Sequence, residues 1–506
     1  MIVEDQSPVI AFLMSDKAHG AYSPAEKIET HISIIVLAGE RVFKVKRAVK
    51  LPYADFSTPE KRLDVCRKEV ERNGKTAPGL YLGAIRITRE PDGTLVFDGT
   101  GDLVDAVVEM RRFDQKNLFD RMAAEGRLTP RLIDELGDEI ANFHDTAPLG
   151  GDGGAANIAG VLDINKAGFA TSHVFSDAEL ADFHARFRKA HARHAALMDQ
   201  RGQGGRIRVC HGDLHLRNIC LLDGKPRLFD CIEFNDQIAT VDVLYDLAYL
   251  LMDLWHRDLP GLANRLLNRY LDRTGDDDGL PLVGFFMALR AAVRAHVTAT
   301  QAEEGAGDVP ALTAMARDYY DLARTLLQEA PPHVVAIGGL SGSGKSTVAE
   351  AVAPFVGSPP GARILESDCI RKAMFDVAAE TKLPPEAYEP EVSRKVYETI
   401  TAGAVGIAAA GTSVVANAVY DRPELRAAIE GAVKAVNIPF AGFWLDASPD
   451  LLRERVGARV KGASDADVKV LEGQLTHDLG VMEWTRLDAA EPVGKLAAEI
   501  RAANEV

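Results

Sequence analysis

Gly339-Leu-Ser-Gly-Ser-Gly-Lys-Ser-Thr347 satisfies GxxxxGK(S/T) at every required position. The short β-branched run Val334-Val-Ala-Ile337 leads into it, and helical text follows. A strand feeding a glycine-rich turn that opens a helix is the setting in which this spacing works. Glycines let backbone N–H groups turn inward around phosphate oxygens, and the helix N-terminus adds partial positive charge. The lysine then reaches the β and γ phosphates, and the following hydroxyl ligates Mg²⁺. The expected nucleotide-binding residues are therefore Gly339, Ser341, Gly342, Ser343, Gly344, Lys345, Ser346 and Thr347. Lys345 is also assigned a catalytic role and Ser346 a metal-ligand role. A glycine turn with no ligand is the plain alternative, and the strand and helix on either side weigh against it.

Downstream, the next strand-like segment ends in Glu366-Ser-Asp-Cys-Ile-Arg-Lys372. A carboxylate at a strand's C-terminal end beside such a loop takes a proton from an acceptor hydroxyl, or holds Mg²⁺ through water. Asp368 is read as that carboxylate, and Arg371 as a grip for an anionic substrate. A helix N-cap at Ser367 or Asp368 is the competing reading. The segment resembles the S-D-x-x-R-K stretch of P-loop small-molecule and polynucleotide kinases, including gluconate-kinase-like and zeta-toxin-like enzymes. In those kinases an arginine-rich segment feeds a lid over the phosphates. The resemblance implies that role for Arg455 and Arg459 in Leu451–Arg459, two residues that share a helix face. A solvated helix with Glu454 as partner is the alternative. The strand Ser413–Val419 lacks the terminal Asp of a motor ATPase. Asn417 and Asp421 lie near its end, and the second Mg²⁺ carboxylate stays unassigned.

Upstream, the helical text ALTAMARDYYDLARTLLQ stops at Pro331-Pro332. The expected domain boundary falls there, giving residues 1–332 and 333–506. After it, the strand-like runs VVAIG, ARILES, SVVANAV and PFAGFWLD alternate with helical text, as in a parallel sheet wrapped by helices. Before it, a β-rich lobe is expected to about residue 112 and a helical lobe from there to 332. The hairpin Ser33–Leu37 with Arg41–Lys46, a helix over Pro59–Lys75, and strands Leu95–Phe97 and Val104–Met110 belong to the first lobe. Helical spacing of Leu128, Leu132, Leu136, Ile140 and Phe143 opens the second, and helices dominate from Val241 to Leu327. Gly150–Gly154 and Gly202–Gly205 read as surface loops.

The helical half carries the second strong pattern, His211-Gly-Asp-Leu-His-Leu-Arg-Asn218. A strand over Arg206–Cys210 precedes it. A hairpin turning at Asp223-Gly224 follows, ending in Leu228-Phe-Asp230. Phosphoryl transfer needs a base near the acceptor hydroxyl and oxygen ligands for the metal on the triphosphate. Asp213 is assigned as base, with Asn218 and Asp230 as metal ligands. The spacing of His211 and His215 suggests a metal pair, but it falls on a loop pattern, which disfavours zinc.

HGDLHLRN, then LFDCIEF, then Val241-Asp-Val-Leu-Tyr-Asp-Leu-Ala248 resembles the aminoglycoside phosphotransferase and choline-kinase-like superfamily. That implies a two-lobed, protein-kinase-like fold. Val42-Phe-Lys-Val-Lys46 resembles the strand with the ATP-binding lysine. Lys44 is preferred, and Lys46 shares its strand face. Glu69 is the implied ion-pair partner and Glu71 its rival. Glu109-Met-Arg-Arg-Phe113, with Arg111 at its centre, is the implied hinge to adenine. Asp242 and Asp246 are expected to buttress rather than react. No G-x-G-x-x-G precedes Lys44, so Glu29–Ser33 and the Ala38–Glu40 turn are left to cover the nucleotide.

The bulk numbers set the frame. The chain has 506 residues, 47% hydrophobic and 26% charged, which fits soluble globular domains. Its net charge of −16 disfavours nucleic acid as partner. Five cysteines without a C-x-x-C pair point to a reducing compartment. No stretch reads as a membrane span of about 18 apolar residues, and acids precede the first apolar run, unlike a signal peptide. A cytoplasmic enzyme is expected: α/β plus α+β in fold class, kinase-like then P-loop NTPase, using ATP and Mg²⁺ at two sites. The expected acceptors are small-molecule hydroxyls of sugars, sugar acids or nucleosides. The rival readings are a polynucleotide-end kinase in the second half and a regulatory ATP-binding module.

Overall fold

The computed structural model describes residues 3–19, 25–30, 32–51, 54–305, 307–378, 380–458 and 465–504. The chain divides into two compact units, Met1–Ile158 with Ala195–Asp253, and Ala159–His194 with Leu254–Val506. This split does not follow the seam near residue 332. The helices between 254 and 326 share a unit with the strands that follow them.

In the first unit, β1 (Glu26–Glu29), β2 (Ser33–Ala38), β3 (Arg41–Lys46), β4 (Tyr81–Arg89), β5 (Leu95–Phe97) and β6 (Asp102–Arg111) form one sheet. Their order is β1-β2-β3-β6-β4-β5, with every neighbour antiparallel. The β2–β3 hairpin is the one expected, turning through Gly39 in the left-handed region (φ 56°). Alternation along β3 decides the site. Phe43 and Val45 enter the core with Val36 and Val107. The residues between them, Lys44 and Lys46, therefore project to the other face. Helix α1 (Pro59–Thr76) lies against that face. Thr58 caps it, accepting from the Lys61 amide, and Pro59 takes the first turn, where no N–H is needed. Strand β4 was not anticipated from sequence, although it pairs with β6 along most of its length.

Two later strands, β7 (Ile207–Val209) and β10 (Thr240–Asp242), pair antiparallel and flank the segment His211–Asn218. Between them β8 (Ile219–Leu222) and β9 (Lys225–Leu228) form the expected hairpin. Asp223 (φ 52°) and Gly224 (φ 77°) give it the paired positive φ of a type I′ turn. The two glycine stretches are not simply loops. Gly154 starts one helix, and Gly202 lies within another, Asp177–Gln203. A Cβ on Gly154 would sit 2.0 Å from Met198 O, and one on Gly202 2.1 Å from Asp152 O. These glycines permit close backbone approach.

In the second unit, β11 (Val334–Gly338), β12 (Arg363–Glu366), β13 (Val414–Asn417), β14 (Phe440–Asp446) and β15 (Thr485–Asp488) form a five-stranded parallel sheet ordered β12-β13-β11-β14-β15. β11 is central and fully buried, as its β-branched run requires. The helix Asp277–Glu303 does reach the length and apolarity of a membrane span, contrary to the sequence expectation. It is a core helix: 72% of its apolar window is buried inside the protein.

His296 on that helix is buried against Phe169 (ring centroids 5.5 Å) and faces Gly168, where a Cβ would come within 2.4 Å of Nδ1. Burial lowers its pKa from 6.5 to about 4. Between those values the unfolded chain binds a proton that the folded protein refuses. Stability is therefore full above the unfolded pKa and falls as pH drops towards 4, by roughly 3 kcal/mol from this group. Urea unfolding of His296→Gln should show a shallower acid-side loss than the parent chain.

Candidate active sites

The first site is built on five charges below the sheet. Lys44 Nζ donates to Glu69 Oε1 at 2.8 Å and also bonds Asp230. Lys46 Nζ meets Glu69 Oε2 at 2.6 Å and Glu233 Oε1 at 2.5 Å. Glu69 thus serves both lysines, one per oxygen, whereas Glu71 is exposed. Burial alone would lower the Lys44 pKa, but Asp230 and Glu69 beside it push it well above its ordinary range. Burial would raise Glu69 and Asp230; Lys44 and Lys46 outweigh it and hold both carboxyls low. At Glu233 burial wins over Lys46, and the pKa is raised. Glu233 was missed from sequence. Its only signal was an acid inside the apolar run LFDCIEF.

The candidate catalytic loop 211–218 is tied down at both ends by one helix, Val243–His256. Asp246 accepts from the His211 amide (3.1 Å) and the Gly212 amide (2.8 Å), the buttress role expected of it. Asp253, two turns on, accepts from the Leu216 amide at 3.0 Å, and sequence reading did not single it out. Asp242 pairs with Arg201 at 2.7 Å, likewise structural. Within the loop, Asn218 Nδ2 donates to Asp213 Oδ2 and to Asp213 O, both at 2.9 Å. That orients the Asp213 carboxylate. His215 Nδ1 accepts from the Arg217 amide, which leaves the proton on Nε2, 3.4 Å from Asp213 Oδ2. His211 is buried, its pKa lowered by burial, with Nε2 2.9 Å from Phe229 O. Neither histidine is disposed as a zinc ligand.

Asp230 has a left-handed backbone (φ 63°), uncommon for a non-glycine residue and concentrated at functional sites. Asp213 and Asp230 each keep 41% of their side chains exposed, so both reach solvent while Lys44 and Glu69 do not. Glu109 and Arg111 lie at the end of β6, where the hinge was expected, but their side chains pair with Arg41 (3.0 Å) and Asp223 (2.7 Å). The amides of Arg111 and Arg112 are spent on Leu80 O and Glu40 O. Of the covering segment Glu29–Ser33, His31 is outside the described residues.

The second site has the expected loop. Gly339 (φ 149°), Gly342 (φ 88°) and Gly344 (φ 88°) adopt backbones that side chains resist. A Cβ on Gly342 would lie 2.8 Å from Leu452 O, so helix Pro449–Gly457 packs directly on the loop. Lys345 opens the next helix, its Nζ 3.1 Å from Leu340 O. Ser341 N donates to Gln474 Oε1 at 2.9 Å, and Ser343 lies buried within the loop. Thr347 follows Ser346 in the first turn of the helix. Ser346 Oγ sits between Glu366, to which it donates, and Asn417 Nδ2 at 3.2 Å. Burial raises the Glu366 pKa more than the Ser346 hydrogen bond lowers it. Asn417 Oδ1 is buried without a partner among the described residues.

Asp368 is half-buried, with no hydrogen bond or ion pair among the described residues. The N-cap of its helix is Glu366, without a side-chain bond, so neither Ser367 nor Asp368 caps it. Arg371 differs from expectation. It is buried, donates to Ala387 O at 2.6 Å and Ser393 Oγ at 3.3 Å, and stacks over Tyr388 at 5.0 Å. Nη1 alone braces segment 387–393, and Nε is buried without a partner among the described residues. Lys372 pairs with Asp465 at 3.2 Å, just beyond the described gap. Arg455 is half-buried near the end of its helix and does not pair with Glu454; Arg459 lies outside the described residues. Asp421 pairs with His477 at 2.6 Å.

Two family models match the chain. The phosphotransferase enzyme family matches residues 96–282, which span the loop 211–218. The AAA domain matches residues 334–477, which span the phosphate loop. An uncharacterized protein of Mycobacterium tuberculosis (strain ATCC 25618 / H37Rv) is 29% identical over 474 residues, covering 92% of each chain. A choline/ethanolamine kinase family protein from Mesorhizobium loti is 14% identical, covering 61% of this chain and 90% of that one, with a TM-score of 0.40. A gluconokinase from Sinorhizobium meliloti 1021 is 23% identical, covering 35% and 92%, with a TM-score of 0.25. The chain carries a segment that matches the phosphotransferase enzyme family ahead of one that matches the AAA domain, the order expected for the fusion, and as an enzyme it is an ATP-dependent kinase.

Proposed function

We propose that the chain carries two kinase sites, in domains 1–332 and 333–506, each transferring the γ-phosphoryl group of ATP to a hydroxyl of a small molecule such as a sugar or nucleoside. The observation that carries this reading is a carboxylate base close to oxygen ligands in each half, held by a hydrogen bond in the first. In the first, Asn218 Nδ2 holds Asp213, and Asp230 stands by on Lys44. In the second, Ser346 is gathered with Glu366, and Asp368 is unengaged among the described residues.

Both donor sets fit Mg²⁺, since they offer hard oxygens only: Asn218 Oδ1 and Asp230 in one, Ser346 and Glu366 in the other. The ion, when bound, offsets the charge of the triphosphate. The protein's own steps are these. Lys44 passes from Asp230 to the phosphates, which frees the Asp230 carboxylate. Asp213 accepts the acceptor hydroxyl's proton, with the His215 Nε2–H and Asn218 amide keeping its lone pair aimed. In the second site Lys345 leaves Leu340 O for the phosphates, and Asp368 takes the proton. The net charge of −16 favours small acceptors over polynucleotides, and a reducing, cytoplasmic setting accords with five cysteines outside any disulfide.

A phosphorylation screen over sugars, sugar acids, nucleosides and an oligonucleotide 5′-end tests this. The expected result is a labelled small acceptor whose labelling is lost in Asp213→Asn or in Lys345→Met. Labelling of the oligonucleotide alone, or none with ATP still bound, would overturn it.

A further inference from the structure

Strand β12, which ends in Glu366, is an outer strand of its sheet, paired only with β13. The Arg363 amide goes to Ser413 O at 2.9 Å, so Ala362 O and Ile364 N point away from the sheet. Such edge groups need partners. A helix of the phosphotransferase-family segment, Pro260–Thr274, supplies them.

Asn264, Asn268 and Asp272 recur every four residues and so line one face of that helix. Asn268 Nδ2 donates to Ala362 O at 3.2 Å, and its Oδ1 accepts from Ile364 N at 2.7 Å. A primary amide presents a carbonyl and an N–H side by side, as a peptide does. Asn268 therefore stands where the next strand's peptide would be. Asn264 Nδ2 adds bonds to Pro360 O and Ala362 O, both at 3.0 Å. Arg363 is buried between Asp272 (2.7 Å) and Asp277 (2.8 Å), and also donates to Asn268 Oδ1 at 3.1 Å. Outside this stripe, Arg265 pairs with Glu350 (2.8 Å) and Arg269 with Glu380 (3.0 Å). β12 is four residues long, and Glu366 lies two residues past the Ile364 anchor.

We propose that helix Pro260–Thr274 is a positioning element of the second kinase site: Asn268 and Asp272 fix the lie of β12 and hence where Glu366 meets Ser346. The helical lobe of one domain is then a working part of the other. This rests on the reading of the Lys345–Ser346 loop as a magnesium-nucleotide site. Outer groups that orient a metal's neighbours typically change metal affinity by about ten- to a hundredfold when lost.

The test uses the full chain and a fluorescent, non-hydrolysable ATP analogue. Signal that disappears in the Lys345→Met counterpart is assigned to this loop. For Asn268→Leu, of similar size but without the amide, the half-saturating Mg²⁺ concentration should rise about tenfold. Analogue binding in EDTA should stay within about twofold. Asn268→Asp, which keeps the acceptor for Ile364 N, should fall between. If Asn268→Leu does not fold, Asp272→Asn, at a half-exposed position, reads the same quantity with a smaller rise. An unchanged Mg²⁺ requirement with a lower melting temperature would make the helix merely structural and overturn the proposal. Absence of any Lys345-dependent signal in the parent chain would instead sink the nucleotide reading on which it rests.

Discussion

Asp213→Asn should reduce acceptor phosphorylation at the first site by about 10²–10⁴-fold, the range for loss of a positioned base, while leaving ATP affinity there within a few-fold. The substitution keeps the size of the side chain and its hydrogen bond from Asn218 Nδ2 (2.9 Å to the carboxylate). Only the capacity to take the hydroxyl proton is removed. The loop stays in place because Asp246 and Asp253 hold its amides independently of Asp213. Lys345→Met should remove the other component of ATP use by a comparable factor, and the double variant should retain neither. Initial rates of ATP consumption with a labelled acceptor check all three. A double variant as active as either single one would mean that neither group belongs to a turnover site.

Lys46→Met should destabilise the first unit by about 3–5 kcal/mol, the cost of leaving a buried charge without its partner. Lys46 is almost fully buried and is the ion-pair partner given to Glu233, which is 3% exposed. Removing the ammonium strands that carboxylate and takes one oxygen's partner from Glu69. The double variant Lys46→Met/Glu233→Leu should recover more than half of the loss, since apolar replacement of a whole buried pair is often neutral. Lys44→Met should cost less stability relative to its effect on nucleotide binding, because its partner Asp230 is 41% exposed and water can solvate it. Urea midpoints for the three variants decide. Equal losses in the single and double Lys46 variants would remove Glu233 from the cluster.

Both candidate motifs were legible because their residues are contiguous. Nine residues around Lys345 and eight around Asp213 carry their own backbone geometry. The choice between Lys44 and Lys46 was not legible, since alternation puts both on one strand face. The structure gives the reason the choice is moot for packing: Glu69 offers one oxygen to each. Strand β4 escaped notice because Gly83 and a register shift interrupt its pattern, and β15 because its four residues are mostly exposed. The span-like helix through His296 was masked by Arg290 and Arg294 within it, and only tertiary burial marks it as core. Arg371 looked like an anion grip from its place in the motif, and the motif could not show that its Nη1 is taken by Ala387 O while its Nε stays without a partner among the described residues. Asn268 could not be foreseen at all. It satisfies a strand edge almost a hundred residues away, and no local period records such a debt.

Equilibrium titration of the full chain with a non-hydrolysable ATP analogue and Mg²⁺ counts the triphosphate grips directly. The expected stoichiometry is two per chain, falling to one in Lys345→Met and to one in Asp230→Asn. A single site that survives either substitution, or saturation at one analogue per chain in the parent, would contradict the presence of a working nucleotide cleft in each half.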